Sequence, residues 1–426
     1  MKEIIIYMEI VIFMRMVILA IGNREDVFPL IALGLKAKKM GHKVTICTSN
    51  NFESIIPELE LSFKPCSLEF SNYNDGNHNE LSNNKLNSKR KLKNEVIRPK
   101  IKASLNEFLV VCEENDVIIS NLKAIGAYDI ADYLKIPLII ISANEFIKPI
   151  KEFANSKVTI KNLGSFLNKS SYLLSREKYL KEINSFRVNT LKIEKRGKNE
   201  FLKKIRNNEI PIIYSISKYL FKDILDFDSG AYMPGFIFLE STDQVSPDLI
   251  KFISKKIRPI LVILENSDIE FLSKFKDMFI EALKSTNNTA IVITQSRNFE
   301  FNSDLIYHIV GEYNERIFPL VKGIFNQGTI GILADSLKSG RPIALLPREK
   351  KQKFYANRCQ NLNYLVDLCS EKDISKEFFE GAMIKMSEAK YILKAENIEE
   401  KIEKENATAK IVKYIEHYVS QDFYKV

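Results

Sequence analysis

Short, nearly continuous apolar runs alternate along the chain with longer stretches whose apolar residues recur every three or four positions. The first run, MVILAIG from Met16 to Gly22, has no polar interruption and predicts a strand buried on both faces. A loop, NREDVFP, leads into LIALGLKAKKMGH at helical spacing, with Gly41 marking the end of the helix, and KVTICTS reads as a second strand. DVIISN (Asp116–Asn121), AYDIADYLK and IPLIIISA repeat the sequence of strand, helix and strand. From about Ile160 to Ile205 the pattern is helical and ends in a basic stretch; IPIIYSIS and GAYMPGFIF then read as short strands.

STDQVSPD (Ser241–Asp248) reads as a linker that opens a second series. That series runs as strand PILVILENS, helix IEFLSKFKDMFIEALKS, strands TAIVITQ and IYHIV, helix NERIFPLV, strand GIFN, helix GILADSLKSG and strand PIALLP. Two such halves predict an α/β protein of two doubly wound Rossmann-like domains facing each other across a cleft, with ligands at the carboxyl ends of the strands. The expected boundaries are 1–240 for the first domain and 241–405 for the second. A closing amphipathic helix over 406–426 is free to pack back on the first domain. Ser71–Lys93, rich in Asn, Ser and Lys, is expected to be a mobile surface loop.

Composition changes this picture little. With 426 residues, 45% of them hydrophobic, the chain can build two cores. The net charge of +9 favours anionic partners, yet the basic residues are interspersed with acidic and amide ones, so a solvated surface is the simpler reading and no nucleic acid is expected. The basic segments KRKLKNEVIRPK and EKRGKNEFLKKIR are compatible with weak association with a membrane surface. Cys47, Cys66, Cys112, Cys359 and Cys369 have neither metal-ligand nor redox spacing, which fits a reducing, cytoplasmic setting. The apolar start is interrupted by Glu3, Glu9 and Arg15, so it reads as neither a signal peptide nor a membrane helix, and Met14 or Met16 is a candidate start. The four histidines are scattered, and no metal site is expected.

Two places carry candidate chemistry. In FNQGTIGILADSLKSGRP (Phe325–Pro342), Gly328 and Gly331 precede a helix, and free N–H groups at such a start attract phosphate. The loop lacks the Gly-Lys-Ser/Thr of a Walker motif, and NREDVFP lacks the Rossmann glycines. Asp26 precedes an apolar helix, where a carboxylate can cap the helix or act as a base.

The stretch AIGNREDVFPLIALGLKAKKMGHKVTICTSNNF resembles the amino-terminal signature of GT-B glycosyltransferases of the UDP-glycosyltransferase family, in the branch of sterol glucosyltransferases and glycopeptide-antibiotic glycosyltransferases. DVIISNLKAIGAYDIADYLKIPLI, SYLLSREKYLKEINSFR and YNERIFPLVKGIFNQGTIGILADSLKSGRPIALLP continue the resemblance in order, from about Met16 to Cys359. It implies an inverting hexosyltransferase using a UDP- or dTDP-sugar as co-substrate, with neither cofactor nor metal. The acceptor it implies is a hydrophobic small molecule or lipid. Asp26 falls where these enzymes present the base, while His42 falls on a structural position.

The implied donor contacts are Ser267, Asn326, Gln327, Gly328, Thr329, Gly331, Lys351 and Gln352. Here the chain departs from the family pattern. Asn326-Gln327 stands where the family has two histidines, Thr329 replaces a glycine, and Ile332 replaces a hydroxyl residue. Lys351 replaces an aspartate, and Glu265-Asn266 stands in a glycine-rich strand end. A neutral amide in place of an imidazole weakens the expected hold on phosphate. The same fold without turnover, serving as a binding or partner protein, is therefore the alternative reading.

Overall fold

The computed structural model describes residues 13–69, 93–143, 146–147, 177–221, 232–241, 243–254, 258–265 and 267–423. They form two compact units. The first comprises Met1–Ser215, Asp223–Ile237 and Ala407–Val426; the second comprises Ile216–Lys222 and Phe238–Asn406.

The first unit is built on a six-stranded parallel sheet: β1 (Arg15–Leu19), β2 (Lys43–Thr48), β3 (Ser62–Pro65), β4 (Val117–Ser120), β5 (Leu138–Ser142) and β6 (Ile212–Tyr214), in the spatial order β3-β2-β1-β4-β5-β6. β4, β5 and β6 are buried at every position, and β1 at every position but Arg15, as continuous apolar runs covered by helices require. The order is the doubly wound one, and the chain reverses its direction of winding between β1 and β4. The helix Ala407–Phe423 returns to this unit and packs on the helix Arg24–Lys39. Its Ile411, Val412, Ile415 and Val419 are fully buried, and its Glu416 meets the buried His42 ring at 2.9 Å. His42 is thus a hydrogen-bonded core histidine.

The second unit repeats the plan with β7 (Ile260–Leu264), β8 (Ala290–Thr294), β9 (Ile306–Val310), β10 (Gly323–Asn326), β11 (Ile343–Leu345) and β12 (Leu365–Leu368). Their order, β12-β11-β10-β7-β8-β9, is the same winding, with the switch between β7 and β10. One face of this sheet is closed by stacked and edge-on phenylalanines, among them Phe275, Phe279, Phe325 and Phe379.

Three sequence expectations need correction. GAYMPGFIF is no strand where it is described. Tyr232 makes one isolated bridge to Ile213, after which Pro234, lacking an N–H, and Gly235, at φ +135°, end the extended run. NERIFPLV forms a 3₁₀ helix over Glu315–Leu320, with Pro319 inside it. The expected helix from Ile160 to Ile205 is described only from residue 177, where Leu180–Phe186 runs on into a π-helical segment, Arg187–Leu191, and a separate helix spans Glu200–Arg206. The loop 71–93 lies outside the described residues up to position 92, and Lys93 opens a π-helical turn ending at Ile97.

Among the described residues, no helix is long and apolar enough to cross a membrane, and no group of three or more metal-ligating side chains assembles. All five cysteines are buried and free. Burial pushes the Cys359 thiol up to about 12, far from thiolate chemistry at neutral pH.

Candidate functional site

Asp26 sits in the first turn of the helix that follows β1. Its Oδ2 accepts the N–H of Asn23 at 3.1 Å, so it does cap its helix. The chain can bring the carboxylate so close only because Gly22, at φ +137°, has no side chain. A Cβ there would stand 2.2 Å from Asp26 Oδ2. The same oxygen meets Lys123 Nζ at 2.5 Å. Lys123 lies just beyond β4, so the two charges flank the switch point of the first sheet. Asn121 holds this second loop in place: its amide donates to Ile21 O at 2.8 Å and its Oδ1 accepts Lys123 N–H at 3.2 Å.

A cavity of about 20 Å³ opens beside the pair at the carboxyl edge of β1, β4, β5 and β6. Pro29, Leu30, Leu122, Ile141 and Ala143 give it apolar walls, and Ser142 and Ser215 add hydroxyls. Such a volume holds a single water-sized group, the size of one reacting hydroxyl. A larger hollow of about 430 Å³ lies at the β2–β3 side, with Ser49, Asn50, Ser67, Glu69 and Lys100 in its lining beside Cys66, Pro99 and Ala103.

In the second unit, Asn326 ends β10 and is fully buried. Its Oδ1 accepts Gly328 N–H at 2.7 Å, and its Nδ2 donates to Ser336 Oγ at 3.0 Å. Both ends of the amide therefore brace the loop and the helix that follows it from within. Gly328 takes φ +83°, and a Cβ on it would lie 3.4 Å from Gln352 O. Thr329 then starts the helix Ile330–Lys338 without capping it through its hydroxyl. The first intrahelical bond runs from Leu333 N–H to Thr329 O, so the N–H groups of Ile330, Gly331 and Ile332 have no intrahelical acceptor. That leaves a helix start with its positive dipole end and three donors at the switch point of the second sheet.

Ser267, beyond β7, stands on the other side of that switch. It donates to Glu265 O at 3.2 Å and accepts Gln327 Nε2 at 3.1 Å, so the structure joins Ser267 to this loop. Asn266 lies outside the described residues. Gln352 joins it too, donating to Thr329 Oγ1 at 3.3 Å. The Oε1 of Gln352 accepts the N–H groups of Arg348 and Glu349, each at 2.9 Å, which closes the start of the helix Lys350–Asn361. Lys351, its half-buried neighbour, stands in the first turn of that helix. Arg348 is anchored away from the loop by Asp268 at 2.7 Å and Glu371 at 2.9 Å.

Sequence reasoning missed Lys123, Asn121, Ser215 and Ser336. Ser336 lies within Phe325–Pro342, and Asn121 and Lys123 within DVIISNLKAIG, but no pattern of residue types marked them out. The one usable signal was the winding order, which sets the loop after β4 beside the loop after β1.

The glycosyltransferase family 28 N-terminal domain matches residues 16–150, which hold both Asp26 and Lys123. Over that stretch the chain is similar to family 28 glycosyltransferases, and over most of its length to sterol glucosyltransferases. It is 25% identical over 441 residues to a sterol 3-beta-glucosyltransferase of Vanderwaltozyma polyspora, covering 93% of this chain and 34% of that protein. It is 23% identical over 374 residues to one of Arabidopsis thaliana, covering 81% and 56%. The chain thus spans about a third of the length of the yeast relative. Among solved structures, the calicheamicin glycosyltransferase CalG4 matches with a TM-score of 0.66 and 13% identity, over 95% of this chain and 98% of its own. Glycosyltransferase VinC, solved with dTDP, matches with a TM-score of 0.65 and 12% identity, over 96% and 100%. These structures share the GT-B fold with the chain.

Proposed function

We propose that this GT-B protein moves a hexosyl group from a nucleotide-diphosphate sugar to the hydroxyl of a hydrophobic acceptor, with inversion at the anomeric carbon. The observation that carries the reading is the pair of switch points, one bearing a carboxylate beside a hydroxyl-sized cavity and the other a helix start with three unclaimed N–H groups. The acceptor oxygen bonds to the anomeric carbon as the bond from that carbon to the diphosphate breaks. The acceptor proton goes to Asp26 Oδ2, and the diphosphate leaves with the electron pair. The N–H groups of Ile330, Gly331 and Ile332 stabilise that leaving charge, in a loop held by Asn326, Ser267 and Gln352. Sterol-type acceptors are supported by the curated relatives, and a thymidine diphosphate by the dTDP of VinC.

A second reading, a binding protein on the same fold, is favoured by two observations: Lys123 occupies Asp26, and the Asn326 amide bonds at both ends to Gly328 and Ser336. One experiment separates the two. Thermal shift with UDP-, dTDP- and GDP-sugars reads donor binding, and mass spectrometry of acceptor mixtures reads transfer. Asp26→Asn is expected to keep the nucleotide shift and lower transfer by ~10²–10⁴-fold. No shift with any nucleotide sugar, together with no effect of Asp26→Asn, rejects the transferase.

A further inference from the structure

The cavity beside Asp26 has the dimensions of a water site. About 20 Å³ admits one water, and a buried water needs about two to four polar partners. Asp26, Asn121, Lys123, Ser142 and Ser215 stand in the wall to supply them. Ser215 makes the strongest case. It is 4% exposed, and its Oγ has no hydrogen-bond partner among the described residues. A buried hydroxyl left unpaired is costly, and a water in this cavity satisfies it.

Water also suits the ion pair. It is neutral, so the balance of charge between Asp26 and Lys123, 2.5 Å apart, does not change when it enters. An ionised carboxylate offers about four acceptor sites. Lys123 Nζ and Asn23 N–H both bond to Oδ2, and a water hydrogen is a further donor that the group can accept. Unlike an acceptor hydroxyl, water brings no carbon to be housed against Pro29, Leu30 and Leu122. Held against Asp26, it presents the same O–H to the base.

We propose that the protein also hydrolyses nucleotide-diphosphate sugars, with a water in this cavity as the nucleophile and Ser215 as the residue that positions it. The inference rests on Asp26 as the base of the transfer proposed above. The water oxygen bonds to the anomeric carbon as the bond from that carbon to the diphosphate oxygen breaks. One water proton passes to Asp26, and the diphosphate leaves with the electron pair. The products are a free sugar of inverted anomeric configuration and the nucleoside diphosphate. Because the cavity takes one oxygen, water and the acceptor hydroxyl exclude each other, and hydrolysis runs when acceptor is absent.

The test uses the full chain with UDP-glucose or dTDP-glucose, without acceptor, in water enriched in heavy oxygen. Proton NMR is expected to show β-glucose forming first from the α-linked donor. Mass spectrometry is expected to find heavy oxygen in the glucose and none in the diphosphate. Ser215→Ala should slow glucose release about two- to ten-fold. Ser215→Val, whose bulk takes the place of the water, should slow it about ten-fold or more, and both variants should keep the thermal shift given by the nucleotide sugar. Asp26→Asn should lower release by ~10²–10⁴-fold. No glucose from a nucleotide sugar that binds, heavy oxygen in the diphosphate, or a rate unchanged by Ser215→Val overturns the proposal. Transfer to a sterol hydroxyl with no hydrolysis in its absence also overturns it and leaves the transferase reading standing. Hydrolysis with no transfer to any hydroxyl acceptor upholds it and rejects that reading, and no thermal shift with either nucleotide sugar rejects both.

Discussion

Replacing Gly22 by alanine tests the placement of Asp26 more directly than any change to Asp26 itself. The new Cβ would stand 2.2 Å from Oδ2, 2.6 Å from Cγ and 2.7 Å from Cβ of Asp26, so the carboxylate must swing away. At φ +137° a side chain also strains the backbone, which costs about 1–3 kcal/mol. Displacing Asp26 removes its hydrogen bond from Asn23 N–H, worth about 1 kcal/mol, and leaves Lys123 without its anion. Before the lost ion pair is added the sum is about 2–4 kcal/mol, or roughly 4–16 °C in the melting temperature of a unit of this size. Gly41 is the control. Its φ is +99° with nothing within 4 Å, so Gly41→Ala meets strain alone, about 1–2 kcal/mol and roughly 2–8 °C. Urea unfolding followed by circular dichroism measures both. Asp26→Gly removes all three clashing atoms, so Gly22→Ala in that background should cost about 2 kcal/mol less than in the wild type. If its cost is the same in both backgrounds, the carboxylate does not lie against Gly22, and the geometry drawn for the base is wrong.

Two further predictions concern the second unit. Asn326→Leu keeps the volume but leaves Gly328 N–H and Ser336 Oγ without their partner, so it should cost about 2–4 kcal/mol in urea unfolding and loosen the loop in hydrogen exchange; a change under about 0.5 kcal/mol means the amide does not brace the loop. Asp268 is held below its ordinary 3.8 by the side chain of Arg348 and by Phe271 N–H. The ionised form therefore stabilises the fold fully above that value, and the contribution disappears as pH falls through the lower folded value. Asp268→Asn keeps a capping oxygen and removes the charge, so the stability gap to wild type should be widest near neutral pH and close on acidification below 3.8; a gap that widens there contradicts the sign.

Much of the fold was legible because burial on both faces of a central parallel strand leaves an unbroken apolar run, as in RMVIL and ILVIL. GAYMPGFIF looked the same to a pattern of apolar residues, but a strand also needs a partner for its N–H groups, and Pro234 and Gly235 deny it one. Lys123 was invisible for another reason. It is separated from Asp26 by 97 positions, and only the spatial order, with β4 beside β1, brings the two loops together.

The loop around Asn326 teaches the opposite lesson, since residues named from sequence are engaged with one another. Gln352 is retained where the resemblance has a sugar-binding glutamine, yet its carbonyl oxygen holds two backbone N–H groups and its amide reaches Thr329. Asn326 stands in place of an imidazole, and the exchange is chemically coherent. A neutral amide can satisfy Gly328 N–H and Ser336 Oγ at once in a fully buried position, where a protonated imidazole would carry a buried charge and cannot accept. The loop is thereby shaped by its own hydrogen bonds before any ligand arrives. The attraction for a phosphate then rests on the backbone N–H groups of Ile330, Gly331 and Ile332, which no side-chain substitution removes. The transfer proposed above requires that this backbone cradle suffice without a charged side chain, and the two switch points, one on each sheet, are where its chemistry should be sought.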